Sequence, residues 1–379
     1  MLKIIVDENI AFASTAFNQF GEVKLLSGRN ISNDVLFNTD ILIVRSITNV
    51  NEELLKNTPV KFVGTATIGT DHIDLDYLKY HSIGFADAKG CNAYSVAEYV
   101  ISSLLHLSVK FNFSLFNKSI GIVGVGNVGS KIARFASALG MKVLLNDPPL
   151  QRSGMKSDFI DLDTVLSSDA ITLHVPLNLN GIDKTYHLFD KEKLSRVNDG
   201  AILINTSRGA VVNNQDLLDV ISRKKLKVVL DVWENEPAPN LDLLSEVEIV
   251  TPHIAGYSLE GKVNGTQMVY NSLCDFLGVK KDFSFAQKPP QNSLRQFEVK
   301  DKLETGLEKL VSNIYSIQDD DERMRKMLEM DKEKRKEYFD SLRKNYPIRR
   351  EFNNYSILSN NLSEEVKNIL EKLRFTIAT

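Results

Sequence analysis

The apolar run Ser119-Ile-Gly-Ile-Val123 leads straight into Gly124-Val-Gly126-Asn127-Val128-Gly129, and Lys131, Ile132, Phe135 and Ala136 follow at helical spacing. Strand, glycine turn and helix in that order dictate the opening unit of a parallel, doubly wound sheet. The first glycine permits the tight turn, the second lets a pyrophosphate approach the backbone, and the third allows helix and strand to pack closely. The N–H groups of Asn127 and Val128 open the helix, where unpaired donors and the helix dipole favour an anion without a basic side chain. Asp147 lies 18 positions beyond Gly129, close to the roughly 20 at which a carboxylate holds the ribose hydroxyls of a dinucleotide. That carboxylate repels a 2′-phosphate, so NAD is expected over NADP even with Arg152 nearby.

The same alternation runs along most of the chain. Lys3 to Val6, Val23 to Leu26, Ile41 to Val44 and Lys61 to Val63 read as short strands separated by helical stretches. A second series continues through Ser119 to Val123, Lys142 to Leu145, Ala170 to Val175, Ala201 to Asn205, Val228 to Val232 and Val247 to Thr251. Each series predicts an α/β domain with a doubly wound parallel sheet. Between them an amphipathic stretch, Val96 to Phe111, carries Ser95 as a cap with Glu98 three residues later. A helix containing Gly261 to Leu277 has no strand of its own and is expected to return to the first sheet. Pro289-Pro290 marks a linker, and the charge-dense stretch Asp319 to Lys344 reads as solvated helix surface. The expected domains are 1–93 with 255–287, then 94–254, then 288–379.

Composition excludes several classes. With 46 Lys and Arg against 49 Asp and Glu, no excess of positive charge argues for nucleic acid. Cys91 and Cys274, the two cysteines, have neither disulfide nor zinc spacing and are expected as reduced, buried thiols. The N-terminus turns acidic at Asp7-Glu8 before a signal region forms. No uncharged apolar run reaches the roughly 18 residues of a membrane span. A cytoplasmic protein without membrane association is expected.

Three side chains at successive strand ends suit hydride-transfer chemistry on a hydroxy acid. Oxidising a secondary alcohol requires removal of the O–H proton as hydride leaves carbon. A histidine does this well, typically for about 10²- to 10⁴-fold, and His253 is placed for it. A neighbouring carboxylate, Glu236, would orient the imidazole, while the guanidinium fork of Arg208 would bind a substrate carboxylate. Val175, Thr206, Ser207 and Asp231 sit at the carboxyl edges of the same strands, where an open sheet binds its ligand. His72, His81, His106, His174 and His187 show no metal-ligand spacing, and no metal is expected.

Several longer stretches carry a resemblance. Gly69-Thr-Asp71-His72-Ile-Asp74, the glycine loop, Ile204-Asn205-Thr206-Ser207-Arg208-Gly209, Asp231-Val-Trp233-Glu234-Asn-Glu236-Pro237 and Thr251-Pro-His253-Ile-Ala-Gly256 resemble the D-isomer-specific 2-hydroxyacid dehydrogenases over about residues 1–285. The resemblance implies a flavodoxin-like substrate domain, a Rossmann NAD domain, and catalytic roles for Arg208, Glu236 and His253. Val44-Arg45-Ser46, Gly64-Thr-Ala-Thr67, Gly90-Cys-Asn-Ala93, Gly256-Tyr257-Ser258 and Phe339 to Phe352 narrow it to a branch with an α+β C-terminal dimerisation domain. That branch oxidises 4-phospho-D-erythronate with NAD in pyridoxal 5′-phosphate synthesis. It implies a homodimer, with Ser46, Thr67 and Tyr257 at the substrate; Val175 stands where the branch has threonine.

The substrate phosphate then needs a second anion site, for which the sequence offers Arg45 and the pair Arg349-Arg350. The pair is expected either to reach a neighbouring subunit's cleft or to form ion pairs with Glu351 or the acidic run. Two other readings stand beside this one. A 3-phosphoglycerate dehydrogenase would lack the C-terminal domain, and an NAD-sensing corepressor would bind the cofactor without turnover.

Overall fold

The computed structural model describes residues 1–285, 303–358 and 362–378. Its contacts group residues 1–92 with the stretch beginning at Ser258, and residues 93–257 with the C-terminal region.

In the first unit, strands β1 (Leu2–Asp7), β2 (Gly21–Leu26), β3 (Ile41–Val44), β4 (Phe62–Thr65) and β5 (Gly84–Ala86) form a parallel sheet. The order β2-β1-β3-β4-β5 is the flavodoxin-like one. Ile4, Ile41, Ile43 and Phe62 point to one face, and Ile5, Leu42, Val44 and Val63 to the other. Both faces are covered, which is why these strands read as continuous apolar runs. The helix Leu259–Leu277 covers the first face with Val269, Tyr270 and Leu273. Its cap is Ser258, whose Oγ accepts from the Gly261 N–H at 2.8 Å. Glycine is required at position 64, because a Cβ there would lie 2.5 Å from Val269 Cγ1.

In the second unit, β6 (Ser119–Val123), β7 (Lys142–Asn146), β8 (Ala170–Leu173), β9 (Ile202–Asn205), β10 (Lys227–Leu230) and β11 (Ile249–Val250) form a parallel sheet in the order β11-β10-β9-β8-β6-β7. A single parallel bridge, Leu145 with Phe159, extends the sheet beyond β7. The plan is that of the Rossmann fold, with its third strand shortened to one bridge. Ile120, Ile122, Ile202, Ile204 and Val229 pack under the helices Ala93–Lys110 and Gly129–Ala138. Ile171, Leu203, Val228 and Leu230 pack on the opposite face with Leu217, Val220 and Leu243.

The C-terminal region adds helices Leu303–Ser312, Ile317–Arg325, Lys332–Lys344 and Glu364–Lys372, with a parallel pair β12 (Ser356–Leu358) and β13 (Thr376–Ala378). Leu307, Leu310, Phe352 and Phe375 join the core under one face of the six-stranded sheet, and Met324, Met327 and Phe339 join the other. The region therefore packs as part of the dinucleotide unit, where the sequence reading drew a separate domain from residue 288. The Pro289-Pro290 linker lies outside the described residues.

Two local expectations change. The helix begins at Ala93, so Ser95 lies inside it; its Oγ donates to Glu351 Oε1 at 3.0 Å. Glu98 is buried as well and accepts from the Phe352 N–H at 3.0 Å. Partners about 250 positions away claim both side chains, a competition that local spacing cannot reveal. The charge run is likewise more than a solvated surface, since Asp320 is buried and accepts from the Tyr346 hydroxyl at 2.7 Å.

Candidate active site

The site grows from the carboxyl ends of β6 to β11. After β6, Gly124 adopts φ +89, and a Cβ there would stand 2.6 Å from the His174 carbonyl oxygen. A Cβ on Gly129 would meet the Gly124 carbonyl oxygen at 2.1 Å, whereas one on Gly126 would have nothing within 4 Å. Two glycines are thus demanded by the protein's own packing, and the third leaves open space over the loop. The helix Gly129–Ala138 starts with no side chain capping it; Ser130, Lys131 and Ile132 donate to the carbonyls of Gly126 and Val128, so an anion would meet the loop N–H groups just before them. Asp147 follows β7; its Oδ2 accepts from the Val125 N–H at 2.8 Å and its Oδ1 from the Leu150 N–H at 3.0 Å. The carboxylate is anchored to the glycine loop itself. Arg152 pairs with Asp183 at 2.5 Å, which engages a guanidinium that could have welcomed a 2′-phosphate. These features fit NAD.

The floor of this crevice is apolar and neutral. Val175 lies just beyond β8, its Cγ1 3.0 Å from the Cβ position of Gly124. His174 beside it shares hydrogen bonds with Thr172 Oγ1 at 2.7 Å and Thr206 Oγ1 at 3.3 Å, and burial lowers its pKa to about 3. It is uncharged at any working pH.

Arg208 follows β9 in a turn fixed by Asn205, whose Oδ1 accepts from both the N–H and the Oγ of Ser207 at 3.0 and 2.8 Å. The Asn205 Nδ2 donates onward to the Arg208 carbonyl at 2.9 Å. Gly209 brings this turn against the next loop, because a Cβ there would overlap the Trp233 carbonyl carbon at 2.0 Å. That next loop carries Glu236. Its Oε1 accepts from the Trp233 N–H at 2.9 Å and its Oε2 from His253 Nδ1 at 2.8 Å. Burial opposes the charge on Glu236, but His253, the Trp233 N–H and the Arg343 guanidinium outweigh it and hold the carboxyl below its usual range.

His253 stands in a left-handed conformation, φ +58, and Asp231 holds it there. Asp231 is 1% exposed; its Oδ1 accepts from Thr251 Oγ1 and the Ile254 N–H, both at 2.7 Å, and its Oδ2 from the Ala255 N–H at 3.0 Å. Burial raises its pKa against these bonds and the nearby His253. The Tyr99 hydroxyl bonds to Thr251 Oγ1 at 2.7 Å, tying this loop to the long helix. Gly256 and Tyr257 complete the loop, and the Tyr257 ring meets Tyr346 edge-on at 5.8 Å.

The structure thus places the glycine loop, Asp147, Val175, Thr206, Ser207, Arg208, Asp231, Glu236, His253, Gly256 and Tyr257 along one sheet edge. Ser46 and Thr67 belong to the first unit, where they follow the neighbouring strands β3 and β4. Thr67 Oγ1 shares a hydrogen bond with Thr65 Oγ1 at 2.8 Å, and Thr65 in turn bonds to His72 Nε2 at 2.9 Å. Arg45 precedes Ser46 in that unit.

Arg349 and Arg350 are not free to reach a neighbouring subunit. Arg349, 5% exposed, donates through Nη2 to the carbonyl oxygens of Ser95 and Ala255 and lies 4.2 Å from the Tyr315 ring centroid. Arg350, 7% exposed, donates to Asn354 Oδ1 at 2.5 Å. Buried carbonyls and the protein's own acids claim these charges, so the phosphate site expected of them is withdrawn. Sequence reasoning missed Arg343, Tyr346 and His174. For Arg343 a signal existed: it stands four residues after Phe339, and one helical turn later the same face is presented again.

Comparison with known proteins agrees with this geometry. Residues 106–255 match the D-isomer specific 2-hydroxyacid dehydrogenase NAD binding domain, and residues 289–373 match a domain of unknown function. The chain is 45% identical over 363 residues to the erythronate-4-phosphate dehydrogenase of Proteus mirabilis, covering 95% of this chain and 96% of the relative. With the Escherichia coli protein of that name identity is 44% over 377 residues, covering 99% and 98%. Among solved structures, the NAD complex of a formate dehydrogenase from Staphylococcus aureus superposes with a TM-score of 0.63 at 26% identity, covering 73% of this chain and 96% of that one.

Proposed function

Because the chain belongs to the erythronate-4-phosphate dehydrogenases, a branch of the D-isomer-specific 2-hydroxyacid dehydrogenases, we propose that it oxidises 4-phospho-D-erythronate with NAD. The product is (R)-3-hydroxy-2-oxo-4-phosphooxybutanoate, on the way to pyridoxal 5′-phosphate. The observation that carries the proposal is the 2.8 Å bond between Glu236 Oε2 and His253 Nδ1, set on the sheet edge that also presents the glycine loop and Arg208.

The dyad's chemistry follows from its partners. An ionised carboxylate accepts hydrogen bonds and donates none, so Glu236 requires the proton of a neutral His253 to sit on Nδ1. The lone pair is then on Nε2, the nitrogen left to take the proton of the substrate's 2-hydroxyl. The imidazolium that forms is stabilised by the carboxylate behind it. Arg208 binds the substrate carboxylate through a guanidinium fork and steadies the oxygen that becomes a carbonyl. The glycine loop around Gly126 and the Asp147 carboxylate would hold NAD, whose nicotinamide would supply the hydride acceptor when bound. Ser46, Thr67 and Tyr257 orient the substrate. The 3-phosphoglycerate and sensor readings are not favoured, because the relatives align across the C-terminal region as well.

The test is direct. Purified protein with NAD should produce NADH absorbance with 4-phospho-D-erythronate far faster than with 3-phosphoglycerate, and no absorbance with either would end the proposal. A cytoplasmic homodimer, assembled through the C-terminal region, belongs to the same reading. Light scattering at the mass of one chain would remove the dimer.

A further inference from the structure

A phosphorylated hydroxy acid presents two anionic ends, and Arg208 serves one of them. The second cation on this sheet edge comes from the C-terminal region. Asp321 Oδ1 accepts from the Val250 N–H at 2.8 Å, which lays the helix Ile317–Arg325 beside β11. Tyr338 donates to the Arg323 carbonyl at 2.8 Å and draws the helix Lys332–Lys344 against it. The last turn of that helix delivers Arg343, whose guanidinium carbon stands 5.9 Å from the Tyr257 ring centroid. The same guanidinium is close enough to Glu236 and the Tyr257 hydroxyl to interact with both. Following the strand ends, Arg208 comes after β9, Glu236 after β10, His253 after β11, and Arg343 enters beyond β11. In strand order Arg208 precedes the dyad and Arg343 follows it.

Arg343 is incompletely partnered. Its Nε is buried and makes no hydrogen bond among the described residues. Glu236 and Asp340 act on its charge, but both oxygens of Glu236 already accept from His253 and Trp233, and a tyrosine hydroxyl carries no charge. A planar fork with an unused N–H, beside a hydroxyl and facing the reacting dyad, is suited to a tetrahedral dianion.

We propose that Arg343, together with the Tyr257 hydroxyl, receives the phosphate of the substrate while Arg208 holds its carboxylate. The inference rests on the preceding reading that the substrate is a phosphorylated 2-hydroxy acid. It assigns to the C-terminal region a substrate-recognition residue acting within its own chain. Selection against unphosphorylated acids follows, because without the phosphate the buried Nε of this guanidinium keeps no hydrogen-bond partner among the described residues.

The experiment compares the wild type, Arg343→Ala, Arg343→Gln and Arg343→Lys on 4-phospho-D-erythronate and on D-erythronate, with NAD affinity and melting temperature measured for each. The wild type should prefer the phosphorylated acid. In Arg343→Ala and Arg343→Gln, kcat/KM for it should fall by about 10²-fold more than kcat/KM for D-erythronate does, while NAD affinity is kept. Arg343→Lys should recover part of the loss, and calorimetry should show weaker binding of the phosphorylated acid to Arg343→Gln. An equal loss on both acids would mean that Arg343 acts only through Glu236 and would overturn the assignment, as would no loss on either. A wild type that does not oxidise the phosphorylated acid would instead remove the reading beneath it, before any substitution is compared.

Discussion

Arg349 Nη2 donates to the carbonyl oxygen of Ala255 at 3.0 Å, two residues beyond His253. A second bond from the same nitrogen to Ser95 joins the C-terminal region, the helix Ala93–Lys110 and the loop that carries the candidate base. With Asp231 holding the Ile254 and Ala255 N–H groups, this loop is fixed through both its donors and an acceptor. Removing Arg349 leaves the buried carbonyls of Ser95 and Ala255 without this donor, while Glu98 keeps Arg374 at 3.5 Å. Arg349→Met should therefore cost about 1–3 kcal/mol of stability, seen as a fall in melting temperature of several degrees, and kcat should drop with it. A melting temperature equal to the wild type's would show that the loop does not depend on this bond.

Glu236 fixes the tautomer of His253, which gives Glu236→Gln a definite outcome. Glutamine can still accept from the Trp233 N–H, yet its amide N–H₂ would face Nδ1 and drive the imidazole proton to Nε2. The nitrogen meant to receive the substrate proton would then be blocked. We expect kcat to fall by about 10²- to 10⁴-fold with NAD affinity unchanged. Activity kept near the wild-type level in this variant would count against the dyad.

How much of this was legible in the sequence depends on how far apart the partners are. Gly124, Gly126 and Gly129 could be assigned separate roles because a turn, an approach and a packing contact are all local demands. The strand runs were legible for a similar reason, since burial on both faces leaves Ile41 to Val44 continuously apolar. Arg208, Glu236 and His253 were found through strand ends. The third strand beyond β7 could not be seen, because one bridge at Phe159 leaves no periodicity. Ser95 reads as a cap and Arg349 as a phosphate ligand or ion-pair partner for one shared reason: each is bound by residues about 94 or more positions distant. Their identities carry no trace of that.

His174 makes stability depend on pH. Its pKa is lowered from 6.5 to about 3 by burial, so the unfolded chain takes up a proton first as pH falls. Stability is therefore intact above about 6.5 and declines progressively below it. Replacing this histidine by glutamine, which keeps a polar group for Thr172 and Thr206 but cannot titrate here, should flatten that decline. Melting temperatures at pH 7.5 and pH 5.5 should lie closer together in the variant than in the wild type. An identical difference in both would place the acid sensitivity elsewhere.

The three glycines of the loop should separate folding from cofactor binding. At Gly124 and Gly129 an added Cβ strikes backbone oxygens at 2.6 and 2.1 Å, and Gly124 also needs φ +89. Alanine at either position forces the turn or the helix to shift, so the melting temperature should fall along with NAD affinity. At Gly126 the same methyl meets nothing within 4 Å, so the free protein should fold as before. What it would meet is the approaching pyrophosphate. Gly126→Ala should keep the wild-type melting temperature without cofactor and lose about tenfold or more in NAD affinity, roughly 1.4 kcal/mol per factor of ten. Saturating NAD should consequently raise its melting temperature less than it raises that of the wild type. Should Gly126→Ala bind NAD as tightly as the parent, the open space above this residue would not be where the phosphates lie.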